Sequence, residues 1–155
     1  MENINSYLSF KIGDEFYAAN VSYINSIIEY KHITKVPDMP DFFLGVVEIR
    51  GEALPVVDSR LKLGLSNSTI TPKSSIIVTD VSIENMKYSV GILVDEVSAV
   101  LEINELDIKE PPGIGSITQA NFIIGMYHNS NKFIMLLDLD KVLASEGKLY
   151  FKTPI

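Results

Sequence analysis

Hydrophobic and polar positions alternate along this chain in short runs, and the runs come in two sets. Tyr7-Leu8-Ser9-Phe10-Lys11-Ile12 places Leu8, Phe10 and Ile12 on one face of a strand. Gly13-Asp14-Glu15 reads as a turn, and residues 16–19 as the returning partner. The same pattern predicts strands over residues 75–80, 87–95 and 98–103. Residues 20–30 are ambiguous. Asn20 can cap a helical turn that points Val21, Ile24, Ile27 and Ile28 inward, but the β-branched residues also permit a strand from Ser26 onward. Residues 31–43, with Pro37 and Pro40, read as a connecting loop, and so do residues 66–72.

One pattern occurs twice. Gly45-Val46-Val47-Glu48-Ile49-Arg50-Gly51 runs through a turn into Glu52-Ala53-Leu54-Pro55-Val56-Val57-Asp58. Eighty residues on, Gly125-Met126-Tyr127-His128-Asn129-Ser130-Asn131 leads through Lys132-Phe133-Ile134-Met135-Leu136-Leu137 to Asp138. Gly to Asp spans 13 positions in both copies. Each Asp precedes a short amphipathic stretch, so Asp58 and Asp138 are candidate helix caps. Residues 18–30 also overlie residues 91–103 at an offset of 73, with Ile24 on Val97 and Ile27-Ile28 on Val100-Leu101. A duplicated β unit follows. The second copy holds seven extra residues, around Pro111-Pro112-Gly113-Ile114-Gly115, which read as a loop.

Composition narrows the class. The 155 residues fit one compact domain, or two small ones sharing a core, and bury roughly 70% of the unfolded surface without a staple. There are no cysteines, so disulfides and thiolate chemistry are excluded. A net charge of −7 with scattered basic residues argues against nucleic acid and anionic lipid as partners. No basic-then-apolar leader opens the chain, and no run approaches the ~20 apolar residues of a spanning helix. A soluble, cytoplasmic protein is expected.

Reactive chemistry is sparse. His32 and His128 stand apart, with no ligand-spaced carboxylates, so no metal site is expected. Gly113-Ile114-Gly115 lacks the strand and third glycine of a dinucleotide loop, and no serine sits in a nucleophile elbow. Asp58 and Asp138 occupy equivalent repeat positions, which puts them in separate units and denies them a shared acid/base role. No catalytic residue and no cofactor are expected.

From Phe42 to Leu65 the chain resembles the bacterial chemotaxis coupling protein family, CheW, on its Gly45-Val46, Arg50-Gly51 and Pro55-Val56-Val57-Asp58 elements. The likeness continues through Ile33-Thr34-Lys35-Val36-Pro37 and Val90-Gly91-Ile92-Leu93-Val94-Asp95-Glu96-Val97, and closes at Leu136-Leu137-Asp138-Leu139-Asp140-Lys141-Val142-Leu143. Ser26 stands where the family often has Glu, and Glu48 where it usually has a neutral residue. The resemblance implies a mainly β single domain over residues 1–155: two intertwined SH3-like five-stranded β-barrels with a few short helices. The first barrel is expected mainly at 15–80 and the second mainly at 86–138, with exchanged terminal segments and a short tail at 145–155. It further implies a non-enzymatic adaptor between the chemoreceptor signalling tip and the regulatory domain of the histidine kinase CheA. Such a protein reaches the membrane only through receptors.

Under that reading Ile24, Ile27, Arg50 and Val97 are receptor-interface candidates. Phe42 and Phe43 are kinase-interface candidates, one plugging a barrel and the other exposed. Two other readings compete: a duplicated barrel binding a small ligand or peptide, which needs a closed pocket of a few hundred Å3, and a weak hydrolase using carboxylates between the barrels.

Overall fold

The computed structural model describes residues 3–63, 65, 69–110 and 122–147. Among these residues ten strands and two helices follow in order. They are β1 (Ile4–Ile12), β2 (Glu15–Asn20), β3 (Ile24–Glu29), β4 (Phe43–Ile49), β5 (Glu52–Asp58), α1 (Ser59–Lys62), β6 (Ser75–Ile83), β7 (Met86–Val94), β8 (Glu96–Asn104), β9 (Ile123–Asn129), β10 (Lys132–Leu137) and α2 (Leu139–Gly147). Single 3-10 turns precede β3, at Val21–Tyr23, and follow β8, at Glu105–Asp107. The glycine-rich run at 111–115 and the end of the tail lie outside the described residues.

The strands form two five-stranded sheets, ordered β8-β1-β2-β10-β9 and β3-β6-β7-β5-β4. Both have the same design: an antiparallel sheet with one parallel contact, β10 on β2 and β5 on β7. Each half of the duplication, β1–β5 and β6–β10, gives its first hairpin to one sheet and its last three strands to the other. One sheet is therefore continuous in sequence, from β3 to β7. The other is discontinuous, built from both ends of the chain. This corrects the expected division at 15–80 and 86–138: β2 bonds to β1 and β10, and β7 bonds to β6 and β5. The sequence repeat is real, but repeat and barrel are different units.

Both sheets curl until the chain leaving one edge strand meets the opposite edge. Thr34, beyond β3, bridges to Val46 of β4, and Lys109, beyond β8, bridges to Met126 of β9. The paired amides and carbonyls lie 2.8–2.9 Å apart. This closure explains the two repeated glycines. A Cβ on Gly45 would sit 2.1 Å from the Thr34 carbonyl oxygen, and one on Gly125 would sit 2.8 Å from that of Lys109. Only a residue without a side chain lets the closing segment approach.

Three apolar clusters stack in a row. Val47, Leu54, Val56, Ile76, Val78 and Leu93 fill the continuous barrel. Tyr7, Ala18, Ile103, Ile134 and Leu136 fill the discontinuous one. The largest cluster lies between them, drawing Leu8, Phe10 and Ile12 from β1, Ile77 and Val81 from β6, and Leu139, Val142 and Leu143 from α2. Alternation along each strand thus feeds two cores at once, one residue into its own barrel and the next into the shared layer.

Residues 20–29 resolve the helix-or-strand ambiguity. Asn20 accepts the Ser22 N–H at 2.9 Å and caps a single 3-10 turn, and the strand begins at Ile24. The expectation that all four apolar residues point inward fails for two of them. Val21 and Ile27 are exposed, and Ile27 retains 44% of its surface.

Candidate functional site

Strand register fixes which residues are equivalent in the two barrels. Val56 pairs with Gly91 and Leu136 with Ala18, which reproduces the offsets of 80 and 73 read from the sequence. On that basis β3 and β8 are the same strand of two barrels, and each is an edge. Both carry a register shift, between Ile24 and Ser26 in one and opposite Leu8 and Phe10 in the other. At the second shift the Ser9 hydroxyl donates to the Ala99 carbonyl at 3.0 Å, and its oxygen accepts the Ala99 N–H at 3.1 Å. The side chain supplies bonds that the interrupted ladder omits.

Ile24 and its equivalent Val97 are half-buried against the shared core. Ile27 lies opposite Ile77, and its equivalent Val100 lies opposite Leu8. Ile77 and Leu8 belong to the shared core, yet Ile27 and Val100 remain 44% and 62% exposed. The apolar layer between the barrels therefore reaches solvent along both edge strands. Each outcrop is followed by an exposed glutamate, Glu29 or Glu102. Sequence reasoning missed Val100, although the 73-residue offset already laid Ile27 upon it.

Arg50 and Gly51 form the two-residue turn between Ile49 and Glu52, with φ of 53° and 82°. Positive φ at both positions makes this the turn type whose twist suits a hairpin. The Glu48 carboxylate accepts the Gly51 N–H at 2.6 Å, and Lys31 Nζ donates to the Glu48 carbonyl at 2.6 Å. The second contact sets the Arg50 turn beside the chain leaving β3. The Arg50 turn therefore lies nearer the Glu29 end of β3 than the Ile24 end.

The aromatic pair behaves differently from expectation. Phe43 is 8% exposed in the shared core, and Phe42 is half-buried against the same cluster, so neither stands free in solvent. The Phe42 carbonyl accepts the Asp58 N–H at 2.7 Å, as the Phe122 carbonyl accepts that of Asp138 at 2.8 Å. The Asp58 carboxylate accepts the Arg60 N–H at 3.0 Å ahead of α1, and Asp138 accepts the Lys141 N–H at 3.3 Å in α2. Both are capping contacts within separate barrels.

Tyr23, in the turn before β3, donates its hydroxyl to the Asp140 carboxylate at 3.2 Å. Burial, and then the nearby Asp140 and Asp138 charges, push its phenol up to about 12. His32 and His128 are exposed, His128 with its ring 4.8 Å from that of Phe133. Among the described residues no three His, Asp or Glu side chains gather as metal ligands would. Apolar space beneath α2 and between the barrels amounts to about 10 Å3, barely one water molecule. The larger cleft, about 380 Å3, is open and polar, bordered by Lys11, Asp14, Arg60, Lys73 and Glu96.

Two closed barrels thus share one core, and an apolar seam opens to solvent along their paired edge strands. A model of the CheW-like domain matches residues 6–147. The chemotaxis protein CheW of Rhizobium meliloti is 33% identical over 141 residues, or 91% of this chain and 88% of that protein. That of Thermotoga maritima is 34% identical over 139 residues, covering 88% and 85%. The scaffolding protein TtCheW from Thermoanaerobacter tengcongensis superposes with a TM-score of 0.80 over 99% of this chain and all of that one, at 24% identity, and so shares the fold. The chain belongs to the CheW-like domain family.

Proposed function

We propose that this chain is a non-enzymatic chemotaxis adaptor that couples chemoreceptors to the histidine kinase CheA. The observation that carries the reading is the apolar seam. In a chain of this family, a core that surfaces at Ile27 and Val100 supplies a ready surface for the apolar stripe of a helix. The partner proposed for that seam is the helical signalling tip of a receptor, held by Ile24, Ile27, Val97 and Val100, with Arg50 reaching it from the neighbouring turn. The CheA regulatory domain is proposed to meet a barrel end, like fold against like fold. There Phe42 and Phe43 brace the 36–43 loop from inside, and Val36, 40% exposed, faces outward. The adaptor is placed in the cytoplasm and approaches the membrane only through receptors. No helix among the described residues is long and apolar enough to cross one.

A ligand-binding barrel would need an enclosed volume that the shared core does not hold. The deciding experiment titrates a purified receptor-tip fragment, and separately CheA, against wild type and Ile27→Asp. The variant is expected to keep its thermal transition and its CheA affinity while losing most receptor affinity. A folded Ile27→Asp protein with unchanged receptor affinity removes the seam from the interface.

A further inference from the structure

We propose that Arg60 and Asp140 are equivalent positioning residues, each latching one of the two crossings of the chain between the barrels, and that together they set the angle between the barrels. The chain passes from the discontinuous barrel to the continuous one between β2 and β3, and returns between β7 and β8. Three groups meet at each passage: the second residue after the repeated Asp, a residue of the crossing, and the N–H next to a core residue near a hairpin end.

At the return crossing, Arg60 Nη1 lies 2.9 Å from Asp95 Oδ2. The same Asp95 oxygen accepts the Gly13 N–H at 2.6 Å. At the outward crossing, Asp140 Oδ2 accepts the Tyr23 hydroxyl at 3.2 Å and Asp140 Oδ1 accepts the Ser82 N–H at 2.7 Å. Gly13 follows the core residue Ile12, and Ser82 follows its counterpart Val81. Arg60 stands two residues past Asp58, and Asp140 two past Asp138. The geometry is the same, but the chemistry has been exchanged. In one latch the crossing brings the carboxylate and the helix a cation. In the other the helix brings the carboxylate and the crossing a neutral phenol. What both preserve is a carboxylate bound to a hairpin N–H, joining groups from both barrels.

That bond has work to do in this architecture. The layer between the barrels is apolar and non-directional, so it holds the barrels together without dictating their rotation. Charged hydrogen bonds are directional and lose strength quickly when misaligned. Two of them, one at each crossing, hold the angle and with it the relative placement of β3 and β8. The effect on receptor binding rests on the adaptor reading; the effect on the angle does not.

The chain has no cysteine, so Glu52→Cys with Asn131→Cys puts one spin label on each barrel, at exposed hairpin positions. Pulsed dipolar spectroscopy then reads the distance between barrels. Asp95→Ala and Asp140→Ala are each expected to shift or broaden the distance distribution while circular dichroism stays that of a folded β protein. The exchange pair Arg60→Asp with Asp95→Arg moves the carboxylate to the position it holds at the other crossing, and is expected to restore the wild-type distribution. General destabilisation would not produce that rescue. Receptor-tip affinity should fall about tenfold in the single variants, within the usual range of coupling between sites, and recover in the pair. If Asp140→Ala does not fold, Asp95→Ala and the exchange pair decide. Unchanged distributions in the folded single variants, or an exchange pair no closer to wild type than Asp95→Ala, overturn the latches. A shifted distribution with undiminished receptor affinity upholds them and counts instead against the seam as the receptor site.

Discussion

Arg50 occupies a backbone conformation that suits a glycine or asparagine. At φ of 53° an ordinary side chain costs about 1–2 kcal/mol, and the first position of such a hairpin turn usually avoids it. No contact of its own side chain among the described residues offsets that cost. The side chain is exposed, and among the described residues it enters no hydrogen bond or ion pair. Of the two glutamates able to pair with it across the turn, Glu48 gives its carboxylate to the Gly51 N–H, and Glu52 forms no ion pair with it among the described residues. Replacing Arg50 by Gly relieves the strain, offset by glycine's extra freedom when unfolded, about 0.5–1 kcal/mol. Arg50→Gly is therefore expected to leave Tm unchanged or raise it by up to about 3 °C, while receptor-stimulated CheA activity falls sharply. A variant that activates fully would show the arginine to be idle. Gly45 is the opposite case. Its Cβ would meet the Thr34 carbonyl at 2.1 Å, so Gly45→Ala is expected to cost roughly 2–4 kcal/mol by forcing the barrel closure open. The sequence showed a turn at Gly51 and a repeated glycine at Gly45. It could not show that the strained residue was Arg50, or that the crowding at Gly45 came from a segment eleven residues upstream.

At the scale of elements, β3 and β8 show what apolar spacing reveals and what it conceals. The offset of 73 identified them as equivalents, and the register agrees. Spacing of three and four suggested a buried helical face for residues 21–28, because apolar periodicity reports hydrophobicity rather than burial. An edge strand over an open seam breaks that link: Ile27 and Val100 are apolar and exposed for the same positional reason. The double variant Ile27→Asp with Val100→Asp should therefore fold with little loss and weaken receptor binding more than either single change. The turn before β3 makes a separate prediction. Folding raises the Tyr23 phenol from its ordinary 10 to about 12, so the folded state holds this proton more tightly than the unfolded chain. The associated stability is complete below pH 10 and is lost as pH climbs from 10 towards 12. Thermal melts should show Tm falling across that window, with a shallower fall in Tyr23→Phe. Burial also raises Tyr7 and Tyr17, so part of the slope should survive the substitution. Equal slopes in the two proteins would mean that Tyr23 titrates normally.

For the molecule as a whole, duplication was legible and strand exchange was not. Binary pattern assigns each residue to a face, and a turn assigns a strand to its hairpin partner. Neither says that β1 pairs with β8, ninety residues away, or that β5 finds β7. Those pairings are decided by the closed barrels and by the apolar layer they share. The exchange has an energetic consequence. Residues 24–94 hold every strand of the continuous barrel and resemble an autonomous domain. One face of that barrel, however, presents Phe43, Val57, Ile77, Val81, Val90 and Ile92 to the core it shares with the other barrel and α2, where all six are buried. Excised, the segment would expose a contiguous apolar surface of the kind monomeric proteins avoid. Residues 21–95 expressed alone are therefore expected to aggregate or to bind a hydrophobic dye without a cooperative melt. The full chain should unfold in one transition, with calorimetric and van't Hoff enthalpies equal. A soluble fragment with a sharp transition of its own, or two resolved transitions in the full chain, would show that the shared layer joins two barrels already able to stand alone.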